Sequence, residues 1–499
     1  MRNEGWRHAD DIDLRTVFSE SFSALPPEEV VRDVTPWKRA MNRVLIGMVL
    51  CTIILNFWYL NYILPAVGMV LWLLGLRALR RENGYFTACF VLILLRCACF
   101  FPTLILNTFA CRDDFIPERV TTSLTQVSVA VQLLGLFCLW LGLRAVQRKA
   151  GLPPRAGGVL ALMLWYGVVY LLVLIQYPGM ILPLILLAAF IFILRSICKT
   201  TKALSEAGYT MHPAPVKVPD LWLVLILAAV LVLGCAAGYI FGAQHPMDWQ
   251  PLEEAETAKT AEIKANLLDL GFPESILSDL AEEDLAACAG ALRVDVESKV
   301  YSPTLRHEKT SNKRLRITGI AVQVPGEAET WVILHHFLWE TGPEFFGTDA
   351  LEVWPAYQIE ARGWAKGSDV TGRLLYDRDG QTYTAPYYFL GEATAVDAGA
   401  LPMLLGTTQQ TNLYAGFSLP REGENRRGYL TYTMFNTESG YSIISYFNYT
   451  HQHTWFQYPA TTALKAQMSS RASNYMDPFA REMTQFWVTP SSEHLQWPD

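Results

Sequence analysis

The sequence predicts a chain of two bodies: an α-helical polytopic membrane domain of about seven spans, then an extracytoplasmic α+β region dominated by an antiparallel β-sandwich of jelly-roll-like type. Three observations predict it. With 51% hydrophobic and 17% charged residues and a mean hydropathy of +0.19, the 499-residue chain is too apolar for one soluble domain of ordinary composition. The apolar residues concentrate in nearly uncharged runs before residue 244. Charge divides at the same place: 21 Lys and Arg against 14 Asp and Glu up to Ala243, then 19 against 33 from Gln244 onward, a net +7 followed by a net −14. The domains follow as a short cytoplasmic segment (1–42), the membrane domain (43–243), a helical stalk or subdomain (244–292) and the β-rich domain (293–499).

Residues 1–42 are polar and contain no apolar core of a cleavable signal peptide, so the first spans are expected to do the targeting. This segment has room for one short amphipathic helix, too little for a kinase, cyclase or ATPase domain. The apolar runs are 44–76, 86–106, 123–143, 159–176, 180–194 and 221–243. A helix needs about 20 apolar residues to cross a bilayer, with about 17 as the lower limit. The first run is longer than one span needs and holds Asn56, Tyr59, Asn61 and Pro65 near its middle, which predicts two short spans joined by a polar turn.

Orientation tests that count, because Lys and Arg stay in short cytoplasmic connections. With the N-terminus inside, Lys38, Arg39 and Arg43, then Arg77, Arg80 and Arg81, then Arg144, Arg148, Lys149 and Arg155, then Arg195, Lys199, Lys202 and Lys217 all fall on the cytoplasmic side. The opposite connections carry only Arg112 and Arg119. The expectation is therefore a plasma-membrane protein with a cytoplasmic N-terminus and an external C-terminal domain.

Arg96 is the one charge inside a span, and an ionisable group at that depth is a functional-site candidate by default. No carboxylate lies in another span to pair with it, so Gln132, Asn56, Asn61, backbone carbonyls or lipid headgroups are its expected partners. The same lack weakens a proton-coupled pump, which needs a titratable relay. Of nine cysteines only Cys111 and Cys288 lie away from the spans; a disulfide between them requires the helical subdomain to fold back on the first external loop. Cys97 and Cys99 lack the two-residue spacer of a metal or redox pair and read as packing.

Beyond the membrane, Pro246–Lys264 is acidic and Ala-rich, which predicts a helical stalk. The stretch Leu270-Gly271-Phe272-Pro273 ends one helix and begins another. It resembles the core of a repeat found in some bacterial cell-wall-associated proteins, and its Gly-Phe turn resembles that of ubiquitin-associated three-helix domains. Each likeness covers four residues or fewer and carries no function with it. From Arg293 the pattern turns to period two with Thr, Tyr, Val and Ile, which marks strands. Three hairpins are predicted: 315–324 with 330–339, 373–376 with 381–389 across Asp377-Arg378-Asp379-Gly380, and 429–435 with 441–449. A short strand over 464–468 and a closing helix over 478–487 complete the expectation.

Complete short signatures of the common enzyme classes are absent: no Gly-x-Ser-x-Gly, His-Glu-x-x-His, Walker lysine or dinucleotide-binding turn. His335 and His336 are neighbours on one strand and so face opposite ways. His451 and His453, two apart, would share a face and are weak metal-ligand candidates lacking an identified third ligand. Asp377–Gly380 is a fragment of a calcium loop, better explained as a hairpin turn. Glu340, Glu344, Asp349 and Glu352 are the carboxylates available to a hydrolase of glycosidase type.

Aromatic residues are the domain's main resource. About half should be core, Trp331 and Trp339 among them; the rest call for a sugar, a peptide or the membrane surface. Trp354, Tyr357, Trp455 and Tyr458 lie where strands give way to Pro-containing turns and are the expected ligand contacts. No cofactor is expected. The net −14 argues against nucleic acid and anionic polymers and leaves the lipid bilayer, a neutral glycan, a peptide or a basic protein as partners. The expected role is non-enzymatic: an acidic β domain presented outside the membrane for envelope interaction, ligand binding or sensing. A transporter or channel component using Arg96 and the 178–183 segment is the alternative, and an external carboxylate hydrolase a second one.

Overall fold

The computed structural model describes residues 36–53, 55–175, 181–211, 214–253, 257–304, 312–358, 363–397, 408–438, 441–469 and 478–489. The expected amphipathic helix near the N-terminus and the Pro178-Gly179 interruption lie outside these residues. By its contacts the chain forms two units, Met1–Leu104 with Ile116–Val232, and Ile105–Phe115 with Leu233–Asp499.

Among the described residues eight helices come first: α1 (Pro36–Thr52), α2 (Leu60–Leu79), α3 (Gly84–Leu106), the single turn α4 (Arg112–Phe115), α5 (Glu118–Lys149), α6 (Gly157–Leu174), α7 (Ile181–Glu206) and α8 (Asp220–Phe241). Six of them, α2, α3 and α5–α8, are long and apolar enough to cross a membrane. The seventh expected span corresponds to α1, which has 17 residues and starts among Trp37, Lys38 and Arg39. The interruption falls where the polar residues of the first apolar run predict it, and Trp58 and Tyr59 turn the chain there in the left-handed region, at φ 49° and 60°.

α1 and α2 are held face to face by small residues. A Cβ on Gly47 would lie 2.7 Å from the Gly68 carbonyl oxygen, and one on Gly75 would lie 2.6 Å from the Val44 side chain. Early residues of α1 thus meet late residues of α2, an antiparallel pair whose backbones touch, as packing in lipid favours. At one end of this unit, Asp220 accepts from Arg43 at 2.8 Å and from Arg77 at 3.3 Å. Arg80 donates to the Pro215 carbonyl and Lys149 to that of Glu82, while the Tyr209 hydroxyl reaches the Glu82 carboxylate. These contacts gather the C-terminal ends of α2 and α5, the segment after α7 and the N-terminal end of α8.

The second unit is a β-sandwich with helices outside. Its elements are β1 (Gln250–Pro251), α9 (Ala258–Asp269), α10 (Glu274–Leu277), α11 (Glu282–Ala287), β2 (Arg293–Tyr301), β3 (Arg314–Val324), β4 (Thr330–Thr341), β5 (Asp349–Trp354), β6 (Trp364–Lys366), β7 (Thr371–Arg378), β8 (Gln381–Ala385), β9 (Phe389–Asp397), β10 (Thr408–Phe417), β11 (Glu424–Asn436), β12 (Ile443–Gln452), α12 (Ala463–Met468) and β13 (Phe479–Val488). One sheet runs β1-β8-β7-β11-β4-β3-β2 with β6 also on β11; the other runs β13-β12-β5-β10-β9, and the pairings are antiparallel.

Alternate residues of both sheets meet in one core: Ile333, Phe337 and Leu430 from the first, Leu351, Leu413 and Phe447 from the second, with Trp331 and Trp339 fully enclosed. Ile320, Val322 and Leu334, on the other face of the larger sheet, are covered by Leu267, Phe272, Ile276 and Leu285 of the helical segment. Gly271, at φ 90°, makes the turn that lets Phe272 bury. α12 covers Ala350 and Phe479 on the outside of the smaller sheet.

Two hairpins match their sequence patterns. β3 and β4 pair with Val324 opposite Thr330, and β7 and β8 close across Asp379 (φ 52°) and Gly380 (φ 78°), the paired left-handed residues of a type I′ turn. The third does not form: β11 and β12 lie in different sheets. Both flanks of β11 are already taken by β4 on one side and β6 with β7 on the other, so the chain must cross to the second sheet.

Three further expectations are corrected. The helical stalk over 246–264 is instead extended at β1, where Gln250 pairs with Thr384; the helix starts only after Thr257, whose side chain accepts from the Thr260 amide. Residues 464–468 are helix, capped by Thr462, and 478–487 belong to strand β13, whose ladder on β12 places Phe486 and Val488 in the core.

Candidate functional site

In the helical unit Arg96 is the centre of a small polar network. Its Nη2 donates to Gln132 Oε1 at 3.0 Å, and its guanidinium lies 5.3 Å from the Trp72 ring centroid. Tyr166 hydrogen-bonds both Gln132 and, at 2.5 Å, the Thr52 hydroxyl. Side chains of α1, α2, α3, α5 and α6 therefore converge on one arginine, Gln132 being one of the several partners the sequence offered. The space lined by Trp72, Cys89, Arg96 and Gln132 is about 10 Å³, about the room that one water needs. Arg96 Nε is buried without a partner among the described residues, which is where such a water would bind.

In the β unit the four aromatic candidates separate into two pairs. Trp354 ends β5 half-buried, on the outer face of the smaller sheet, with its ring 5.5 Å from that of Tyr446 directly opposite on β12. Tyr357, in the turn after it, packs edge-on against Tyr432 of the core and reaches Glu392. Trp455 is 58% exposed, beside Phe456 at 52%, and Tyr458 is half-buried in the same loop. The loop leans on α8: Tyr239 lies edge-on to Trp455 at 5.5 Å and its hydroxyl donates to the Gln457 carbonyl at 2.6 Å.

The histidines face opposite ways as their spacing requires. His335 points into the core, hydrogen-bonded to Ser445 at 2.9 Å and stacked on Phe447; burial pushes its pKa down to about 3, so it is neutral. His336 points out to Asp279, at 3.1 Å. His451 is buried with Nδ1 2.7 Å from Asp349, and the His453 ring lies 6.2 Å from it. No third ligand joins them, and among the described residues no three His, Cys, Asp or Glu side chains gather as a metal would need. Every described cysteine is unbridged: Cys111 contacts His245 Nδ1 at 3.4 Å, while Cys288 is buried in the helical layer, its thiol pushed up to about 12 by burial and by Asp284.

Of the carboxylates considered for hydrolysis, Asp349 and Glu352 lie on opposite faces of β5. Asp349 points inward to His451 and Tyr449, whereas Glu352, three residues on, points outward. There Glu352 accepts from Asn412, Tyr414, Asn448 and Gln467. Glu340 is paired with Arg314 and Arg316. Acid–base catalysis needs two carboxyls on one cleft; Asp349, Glu352 and Glu340 are engaged in three separate structural networks, and Glu344 is exposed.

Sequence reasoning missed two constellations. Asp279 bonds His336 and Arg427 while its carbonyl takes Arg373, and nearby Asp284 accepts from Tyr429 and Thr371; these polar contacts fasten the helical layer to the larger sheet. Residues so far apart in sequence leave no local signal. The second was legible: Gly234 and Gly238 on α8 and Gly242 just beyond it recur every four residues and admit Ile105, Thr108 and Phe109, a Cβ on Gly238 colliding with the Thr108 hydroxyl.

No family model matches this chain, and no curated protein matches it. Among solved structures it is matched to a chain described as "Pore forming protein", at 6% identity over 32% of this chain and 79% of that one, with a TM-score of 0.16. A likeness that low carries neither fold nor activity across, and what stands on the structure itself is a chain with six helices apolar enough to span a membrane, followed by an antiparallel β domain.

Proposed function

We propose that this is a multi-pass protein of the plasma membrane that presents an acidic β domain on the extracytoplasmic side, as a non-enzymatic module for envelope interaction, ligand binding or sensing. The observation that carries the reading is the ion-paired end of the helical unit. Arg43 and Arg77 pair there with Asp220 at the N-terminal end of α8, while Arg80 bonds the Pro215 carbonyl in the segment that leads into α8 and Lys149 the Glu82 carbonyl after α2, so α8 leaves from the cationic end that belongs in the cytoplasm. α1 then counts as a short seventh crossing, at roughly 26 Å for 17 residues.

The engagement of each buried carboxylate in a structural network supports binding over hydrolysis, and the single-water space at Arg96 supports a packing role over a conduit. The best contact surface is the outer face of the smaller sheet, where Trp354 and Tyr446 are paired and Trp487 follows on β13, opposite Ile444. Half-exposed rings on a rigid sheet suit a neutral sugar or a peptide, and the surrounding net negative charge suits a basic protein. Alkaline phosphatase fused after Asp499 is expected to be active and a fusion after Arg81 inactive; the reverse pattern would sink the proposal.

A further inference from the structure

Trp455 and Phe456 are the most exposed aromatic pair of the β unit that stands beside a membrane-length helix, and nothing in a sandwich core accounts for them. Their rings lie 5.6 Å apart and flank Tyr239, two residues before the end of α8 at Phe241. The placement is fixed from three directions. The Tyr239 hydroxyl holds the Gln457 carbonyl, the Ala460 amide donates to the Asn107 carbonyl just beyond α3, and Lys465 pairs with Asp113. The residues after Asn107, Thr108 and Phe109, are themselves pressed against Gly238 at the end of α8 and Gly242 just beyond it. The loop thus packs on the last turns of α8 and on the connection that follows α3, residues of its own unit.

The surroundings name the occupant. Following Tyr239 on α8 are Ile240 and Phe241, 66% and 81% exposed, side chains of an apolar helix rather than walls of a recess. A glycan or peptide site would supply polar groups converging on the rings; here the polar groups, Arg112, Asp113 and Lys465, are paired with one another on the connection that follows α3. Indole and phenyl rings at the end of a spanning helix favour the headgroup level, where apolar faces and polar edges are both satisfied.

We propose that Trp455 and Phe456 are an interfacial anchor, a loop of the β domain that sinks both rings into the headgroup layer of the bilayer that α8 crosses. The anchor ties the domain to the membrane at a second point besides its covalent link, restricting its swing. It does not depend on which side of the membrane the domain occupies, so it fails or stands separately from the sidedness assay.

The test uses the full chain in phospholipid nanodiscs with its 15 tryptophans replaced by fluorotryptophan, and the fluorine resonance of Trp455 assigned by its disappearance in Trp455→Phe. Adding lipid with a nitroxide near the headgroup is expected to broaden that resonance away, while a soluble gadolinium chelate leaves it visible. A resonance lost to gadolinium and retained with the nitroxide lipid would overturn the anchor and return the loop to ligand binding in water. Phe456→Trp, labelled in the same way, gives a second reporter in the same loop, with the same pair of outcomes.

Discussion

Trp354 and Trp455 occupy comparable places in sequence, each at a strand end before a proline, yet their surroundings assign them different energetics. Trp354 packs at a tilt against Tyr446 and is half-buried, so Trp354→Ala is expected to cost about 2–4 kcal/mol, toward the lower end of the range for truncating a buried aromatic. Trp455→Ala, removing an exposed ring, should fall within about 0.5 kcal/mol of the parent. Thermal denaturation of the two variants checks both, and equal losses would remove the distinction. His335 gives a pH prediction of definite sign. Burial lowers its pKa to about 3 in the folded protein, below the unfolded value of about 6.5. Above the unfolded value neither state is protonated and nothing is lost; below it the unfolded chain takes up a proton that the folded one refuses. His335 should therefore reduce stability by about 1.4 kcal/mol per pH unit as pH falls below about 6.5. His335→Leu should flatten that part of a stability-against-pH curve, and an unchanged slope would refute the assignment.

Elements in this protein are decided by what covers them. The helical layer α9–α11 covers Ile320, Val322 and Leu334 and is fastened by Asp279 and Asp284, so a fragment of 290–499 would bare an apolar face and strip Arg373 and Arg427 of their Asp279 contacts. A fragment beginning at 246 should give a cooperative transition with β-type circular dichroism, while one beginning at 290 should aggregate or melt broadly. Equal cooperativity of the two would mean that the layer is peripheral. The exchanged identities of 464–468 and 478–487 show the same dependence. Ala-Leu-Lys-Ala-Gln-Met has strong helix formers after a Thr cap, a signal that was legible. By contrast, Phe479–Val488 carries helix-compatible Ala, Arg, Glu, Met and Gln, and becomes a strand because β12 offers it a ten-residue ladder and the core takes Phe486 and Val488.

At the scale of the molecule, the parity of crossings decides where the β domain lies, and α1 decides the parity. If α1 crosses alone, alkaline phosphatase fused after Asn56 should be active, whereas a fusion after Arg81 is inactive. Inactivity at Asn56 would leave the six membrane-length helices as the only crossings and place both ends of the chain on one side. The close backbone contact of Gly47 with Gly68 lets so short a helix be held against α2 along its length.

Composition and period alone determined the division into an apolar helical part and a β part, the position of the break before α2, the opposed faces of His335 and His336, and two of three hairpins, because each rests on residues adjacent in the chain. The Gln132 partner of Arg96 was also within reach, since few polar groups exist in the spans to choose from. Only the tertiary structure decided that β11 and β12 belong to different sheets, that α9–α11 roof the larger one, and that Asp349 and Glu352 serve separate networks. It also set Trp455 against Tyr239. Those outcomes turn on which flank of a strand is already paired and which face is already covered, properties of the assembled sheet that no local stretch of sequence carries.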